Sequence, residues 1–114
     1  VGVESDLVNS YAWDTAIVFI QEMGNTNYAS KDTWNEQIIN TGTSEDKVCN
    51  IYDVASNCYE LSTEYCSFKS NNHAYPCELR GGDSNFSHFA SGRNYEGVTT
   101  QFEMYSFRVI LYID

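Results

Sequence analysis

Apolar residues recur with a helical period near the start of the chain. Between Ser10 and Met23, Trp13, Ile17 and Ile20 fall at i, i+4 and i+7, and Ala16 and Met23 extend the same face. That is the spacing of an amphipathic helix, with Ser10 placed to cap it and Gly24 to end it. From Asn25 to Lys47 the pattern dissolves into Asn, Thr, Ser and Asp around an apolar knot at Ile38 and Ile39. A loop is expected there, with a short helical turn around Trp34. The stretches Tyr59 to Phe68 and Ala74 to Leu79 are β-prone and flank turn residues at Lys69 to His73, which predicts a hairpin. Gly81 to Gln101 scatters aromatics among Gly, Ser, Asn and Thr at no regular period and reads as a long ordered loop. At the C-terminus Phe107, Val109, Leu111 and Ile113 alternate with Ser106, Arg108, Ile110 and Tyr112, the mark of a strand in apolar surroundings. The expected fold is α+β: an N-terminal helix on a twisted antiparallel sheet, the final strand central with Phe107, Val109 and Leu111 buried, and a long irregular segment exposed.

With 114 residues the chain fits one compact domain, 1–114, and leaves no room for two independent cores. Nine Tyr, six Phe and two Trp are more than a disordered acidic chain carries, so it folds. Six Lys plus Arg against sixteen Asp plus Glu give a formal charge of −10, which argues against nucleic acid and anionic membrane as partners. The longest apolar run, Ala16 to Ile20, is far short of the roughly 20 residues of a membrane span. No membrane insertion is expected. A start at Val1, without a signal-like segment, suggests a piece cut from a longer chain.

The four cysteines can supplement a core without replacing it. A hairpin turning at Asn71 and Asn72 would set Cys66 opposite Cys77, at the spacing a cross-strand disulfide uses. Four cysteines allow three pairings, and four buried thiols are the alternative. The cysteines are spread along the chain and His73 and His88 stand alone, unlike the close ligand pairs of zinc sites. No calcium loop and no nucleophile elbow occurs. Neither cofactor nor metal is expected. Trp13 and Trp34 read as core anchors.

The segment from Arg80 to Tyr105 differs. Asp83, Ser84, Phe86, His88, Phe89, Tyr95, Glu96, Val98, Gln101, Phe102, Glu103 and Tyr105 mix apolar, acidic and imidazole groups among small polar spacers with no buried-face period. Binding surfaces use such mixtures, because Tyr and Phe give large contact area at low entropy cost. A core-packing loop is the other reading, and composition does not separate the two.

Three stretches resemble one family. Asn50-Ile-Tyr-Asp-Val-Ala-Ser-Asn-Cys-Tyr-Glu60 resembles the motif "IYDMxGNVWEW", Arg80-Gly-Gly82 resembles "RGGS", and Ser106-Phe-Arg-Val-Ile-Leu-Tyr112 resembles the closing "GFRVxL" strand. These mark the formylglycine-generating-enzyme type of C-type lectin fold, and the Ser10-Tyr-Ala-Trp-Asp-Thr-Ala16 helix looks like that of bacterial and phage members. The oxidases of that line bind copper through a Cys pair just before the final strand, and Ser84 to Tyr105 contains no Cys. The chain is more similar to the variable proteins of diversity-generating retroelements, in which the segment between "RGG" and "GFR" is rewritten at scattered positions between persistent spacers. Ser87, Ala90, Ser91, Arg93, Asn94, Thr99 and Thr100 look like the spacers. The resemblance implies a non-catalytic domain at the C-terminal end of a longer, extracellular chain on a virion tail or bacterial cell surface. Its parent chain is of a kind that can oligomerise, and its partner would be a protein or glycan receptor on a cell surface. A small enzyme of the oxidase line is the alternative, as is a glycan-binding lectin; the "EPN" and "WND" sugar-site signatures of calcium lectins are absent.

Overall fold

The computed structural model describes residues 2–32, 37–67, 76–85 and 88–113. The turn expected around Trp34, the hairpin tip at 69–73 and Phe86 lie outside them. Strand β1 (Val3–Leu7) leads into helix α1 (Ser10–Glu22), followed by a 3-10 turn at Tyr28–Ser30 and the short strands β2 (Lys47–Val48) and β3 (Ile51–Tyr52). Strands β4 (Tyr59–Tyr65), β5 (Cys77–Arg80), β6 (Arg93–Glu96), β7 (Tyr105–Phe107) and β8 (Val109–Ile113) complete the order. The class is α+β. Among the described residues no helix is long and apolar enough to cross a membrane.

The helix forms where its period predicts, but its cap lies one residue earlier. Asn9 takes the N-cap, its side-chain oxygen accepting from Ala12 N at 2.8 Å. Ser10 is then free for a tertiary role: its hydroxyl accepts from Arg80 Nη1 at 2.8 Å and donates to the Glu64 carboxylate. The helix stops at Gly24, whose φ of +110° is open to glycine without strain. Trp13, Ile17 and Ile20 are buried as expected, while Met23 is exposed. They pack with Val8, Tyr28, Val54, Ala55 and Ala90 into one core. Burying a side chain of this kind contributes roughly 1.5–3 kcal/mol.

The main sheet runs β6-β5-β4-β7. It is mixed rather than wholly antiparallel, since β7 lies parallel to β4 with Tyr59 beside Tyr105. The loop expected over Gly81 to Gln101 contains β6, antiparallel to β5 with Arg93 opposite Arg80. A register shift between Leu61 and Tyr65 places Tyr65, not Cys66, opposite Cys77. One residue of slip turns Cys66 to the other face. Cys66 is fully buried there, and Cys49, Cys58, Cys66 and Cys77 are all free thiols. The expected Cys66–Cys77 pair is therefore not made.

The C-terminal strand also departs from expectation. It breaks at Arg108 into β7 and β8, and among the described residues β8 pairs with β1 in a separate two-stranded sheet. Phe107 is 65% exposed and Leu111 69%, while Ile110 is the residue that packs on the core. Arg108 decides this phase. Its guanidinium donates to both carboxylate oxygens of Glu60, at 2.8 and 2.7 Å, and to Tyr52 O at 2.8 Å, and it lies 5.9 Å from the Trp13 ring. Residue 110 shares that inward face by the strand's period of two, and the odd-numbered residues turn outward.

Candidate functional site

The segment after Arg80 begins as part of the frame. Gly81 has φ +82°, and a Cβ there would sit 2.5 Å from Val54 O and 2.9 Å from the Trp13 ring. At Gly82 a Cβ would lie 2.7 Å from Ala55 O. Both positions need a residue without a side chain. Arg80 is 1% exposed. It donates to Gly92 O at 3.2 Å, Ser10 Oγ at 2.8 Å and Asp14 Oδ1 at 2.6 Å. The expected Arg-Gly-Gly stretch is thus the hinge on which the following segment turns.

Residues 89–92 fold back onto the same frame. Trp13 Nε1 donates to Ala90 O at 2.9 Å, Ala90 N to Lys31 O at 2.9 Å, Ser91 N to Ala29 O at 3.1 Å and Gly81 N to Gly92 O at 3.1 Å. Ala90 is fully buried, yet its neighbour Phe89 is 55% exposed. The next turn is closed by Glu96, which accepts from Gly97 N at 2.8 Å, Thr100 Oγ1 at 3.0 Å and Tyr105 Oη at 2.5 Å. Burial pushes the Glu96 carboxyl up, but these three hydrogen bonds outweigh it and hold it below the ordinary range.

Between these two anchors lies a cleft of about 300 Å³ lined by Tyr59, Asp83, His88, Asn94, Phe102 and Tyr105. Four of the twelve residues expected to bind line it: Asp83, His88, Phe102 and Tyr105. Tyr59 and Asn94 are additions. The rings form tilted walls: centroids lie 5.2 Å apart for Tyr59 and His88, 6.4 Å for Tyr59 and Tyr105, and 5.4 Å for Phe102 and Tyr105. Burial pushes the Tyr59 phenol up to about 12, with a further push from Asp83 against a hydrogen bond from Asn94. Burial and the Glu96 carboxylate likewise raise Tyr105. Both phenols are neutral at physiological pH. The Cys58 thiol is also raised, by burial and then by the carboxylates of Asp83, Glu60 and Asp53.

The other expected residues divide by burial. Ser84 is fully buried, its hydroxyl against Met104 Sδ at 3.0 Å, which makes it a packing residue. Tyr95 and Glu96 are half-buried on β6. Gln101 and Glu103 are exposed beside Phe102, and Val98 is 75% exposed at the turn. Tyr59 was hidden from sequence reasoning because it belongs to a strand that reads as frame. It joins the cleft only through the parallel pairing of β4 with β7, which no local pattern announces.

Two larger clefts have their polar groups committed to structure. In one, of about 430 Å³, Asp53 accepts from Gly42 N at 3.0 Å and Ser44 Oγ at 2.7 Å, and Glu60 holds Arg108. In the other, of about 460 Å³, Arg93 bridges Asp14 at 3.7 Å and Glu64 at 2.8 Å. Among the described residues no group of three or more His, Cys, Asp or Glu is placed to hold a metal ion.

Comparison of the chain with family models, with curated proteins and with solved structures gave no match.

Proposed function

We propose that this chain is a non-catalytic ligand-binding domain of the C-type-lectin-like, diversity-generating-retroelement type, whose binding surface is the segment from Asp83 to Tyr105. It is displayed on a phage tail or bacterial surface, at the C-terminal part of a longer chain, and meets a protein or glycan receptor. The observation that carries the reading is a division of labour within the segment. Spacer positions make the anchoring contacts: Ala90 and Ser91 bond to the frame, and Arg93 and Asn94 lie in β6. Among the other positions, Phe89, Val98 and Phe102 are exposed at 55%, 75% and 47%, while Tyr95 and Glu96 are half-buried on β6. Exposed aromatics beside a cleft are the composition of an interaction surface, and a backbone fixed by its spacers lets the intervening side chains change without unfolding the domain. Asp83 and Ser84, at 2% and 0% exposed, stand on the frame side of that division and contribute charge and packing.

Sequencing the same locus in sibling strains tests the reading. Substitutions are expected to concentrate at exposed positions between residues 85 and 105, with Ala90, Arg93 and Gly92 retained. An invariant segment, or changes spread evenly over α1 and β4, would overturn it.

A further inference from the structure

We propose that the outward face of the β1–β8 ribbon pairs with the same face of a second copy of this chain. The face lies outside the segment from Asp83 to Tyr105, so the assignment stands apart from the binding surface. Strand pairing sets Val3 beside Ile113, Ser5 beside Leu111 and Leu7 beside Val109, and these three cross-strand pairs share one side by the period of two. Val3, Val109, Leu111 and Ile113 are 61%, 53%, 69% and 76% exposed, and Phe107, at 65%, extends the strip. Glu4 and Asp6 pair with Tyr112 and Ile110 and so fall on the opposite side. An apolar strip without an ionisable group thus stands open on a chain of net charge −10.

Three features select a second copy as the occupant. The first is charge: a partner held by ion pairs finds none to make on this strip, whereas two copies close over it without desolvating a charge. The second is the pattern. Ser5 is the small residue of the six and stands at the centre, beside Leu111. A two-fold axis running along the ribbon between its strands lays β8 of one copy over β1 of the other, about 10 Å away as in packed sheets. Each Leu111 then seats over the partner's Ser5, each Val109 over the partner's Leu7 and each Ile113 over the partner's Val3, which is the reciprocity an isologous contact requires. The third is area. The exposed side chains of the strip present on the order of 500–600 Å² per copy, so closure removes about 1,000–1,200 Å², the lower bound for a specific interface. Association of that size is weak, with half-saturation at about 10–100 μM of chain. At the lower concentrations of a chemical unfolding experiment the copies are apart.

Sedimentation equilibrium of the chain from about 1 to 500 μM, a range that brackets that expectation, is the test. The weight-average mass should rise from 13.0 kDa toward twice that value and stop there. A single-chain mass throughout overturns the pairing, and so does growth past two copies, which a closed two-fold contact forbids. Leu111→Asp buries a charge at the centre and should weaken association at least about tenfold, with the melting temperature of dilute chain unchanged. Should that variant melt early, Ser5→Glu, which fills the notch from a position exposed in the single chain, supplies the decision; association as tight as the parent's in the folded variant places the contact elsewhere. Tyr11→Ser, 89% exposed on α1, should leave association unchanged, and its loss there would likewise move the contact off the ribbon. Salt gives an independent reading. Two chains of −10 repel, so raising ionic strength should tighten the pair, and a pair that salt loosens is held by charges this face does not carry. Failure of pairing leaves the binding surface untouched, because that reading falls on the sibling-strain sequences.

Discussion

Arg80 and Arg93 stand opposite each other on neighbouring strands and live in different worlds. Arg80 is 1% exposed with its guanidinium divided among Gly92, Ser10 and Asp14 and set 5.8 Å from the Trp13 ring. The Arg93 side chain is 37% exposed and shares Asp14, Glu64 and Glu78 across a solvated cleft. The first fixes where the chain after β5 must go, and the second decorates where it has arrived. Frame and surface are therefore a strand apart. The domain keeps a tight polar and aromatic joint around Trp13 and turns Phe89 and Phe102 outward.

Removing the joint should have the largest effect. Trp13→Ala deletes a ring that is 2% exposed together with its bond to Ala90 O, and should cost about 3–5 kcal/mol in urea unfolding. Phe89→Ala and Phe102→Ala should each stay within about 1 kcal/mol of the parent. A Phe102 variant as damaging as the Trp13 one would erase the distinction between the regions. Next in size is Gly81→Ala. A left-handed backbone alone costs about 1–2 kcal/mol for a residue with a Cβ. The approach to Val54 O adds to this, so the loss should exceed that of Gly24→Ala, where φ is +110° but nothing lies within 4 Å. Equal losses at the two glycines would show that φ alone matters and that the close contact does not.

A smaller effect is expected from the carboxylates inside the frame. Burial raises the Glu78 carboxyl, a rise that Arg93 opposes, Glu64 adds to and Arg80 opposes, and its Oε2 has no hydrogen-bond partner among the described residues. Burial likewise raises Glu60 against its pair with Arg108. A carboxyl raised on folding holds its proton more tightly in the folded than in the unfolded state. Its contribution is most favourable below the unfolded value, about 4.3, and declines as pH rises through the window up to the folded value. Glu78→Gln removes one such group. Stability measured by urea midpoint across that window should fall less steeply in the variant, and a parallel pair of curves would show that Glu78 ionises without cost.

The helix, the strands flanking the hairpin and the role of Trp13 were legible because each is announced by local spacing. The cap was misplaced by one residue because Asn9 and Ser10 are both good caps, and only the tie from Ser10 to Arg80 and Glu64 decides between them. Strand β6 was missed because Arg-Asn-Tyr-Glu carries no apolar alternation; it is a strand through its pairing with β5. Of the cleft, the residues after Arg80 could be named from their unusual mixture, but Tyr59 and Asn94 come from elements that read as frame and spacer. The cysteine pairing failed for a similar reason. A register shift inside β4 is a tertiary adjustment, and alternation cannot record it.

The smallest predicted effect is the sharpest test of phase in β8. Both sets of residues in that strand are apolar, so alternation establishes a strand without saying which face is inward. Arg108 makes the choice through Glu60 and Tyr52, and carries Ile110 inward with it. Leu111, 69% exposed opposite Ser5 on β1, has little apolar contact to lose, so Leu111→Ala should change stability by no more than about 0.5 kcal/mol. Ile110→Ala empties a partly enclosed site beside Val8 and Trp13 and should cost measurably more, toward the lower end of the roughly 2–5 kcal/mol range for such truncations. Chemical unfolding of the two variants side by side decides the matter, because the original alternation, with Phe107, Val109 and Leu111 inward, predicts the opposite order. If Leu111→Ala is the more damaging change, the outward face of β8 is a buried face of the folded protein and Arg108 does not set its phase.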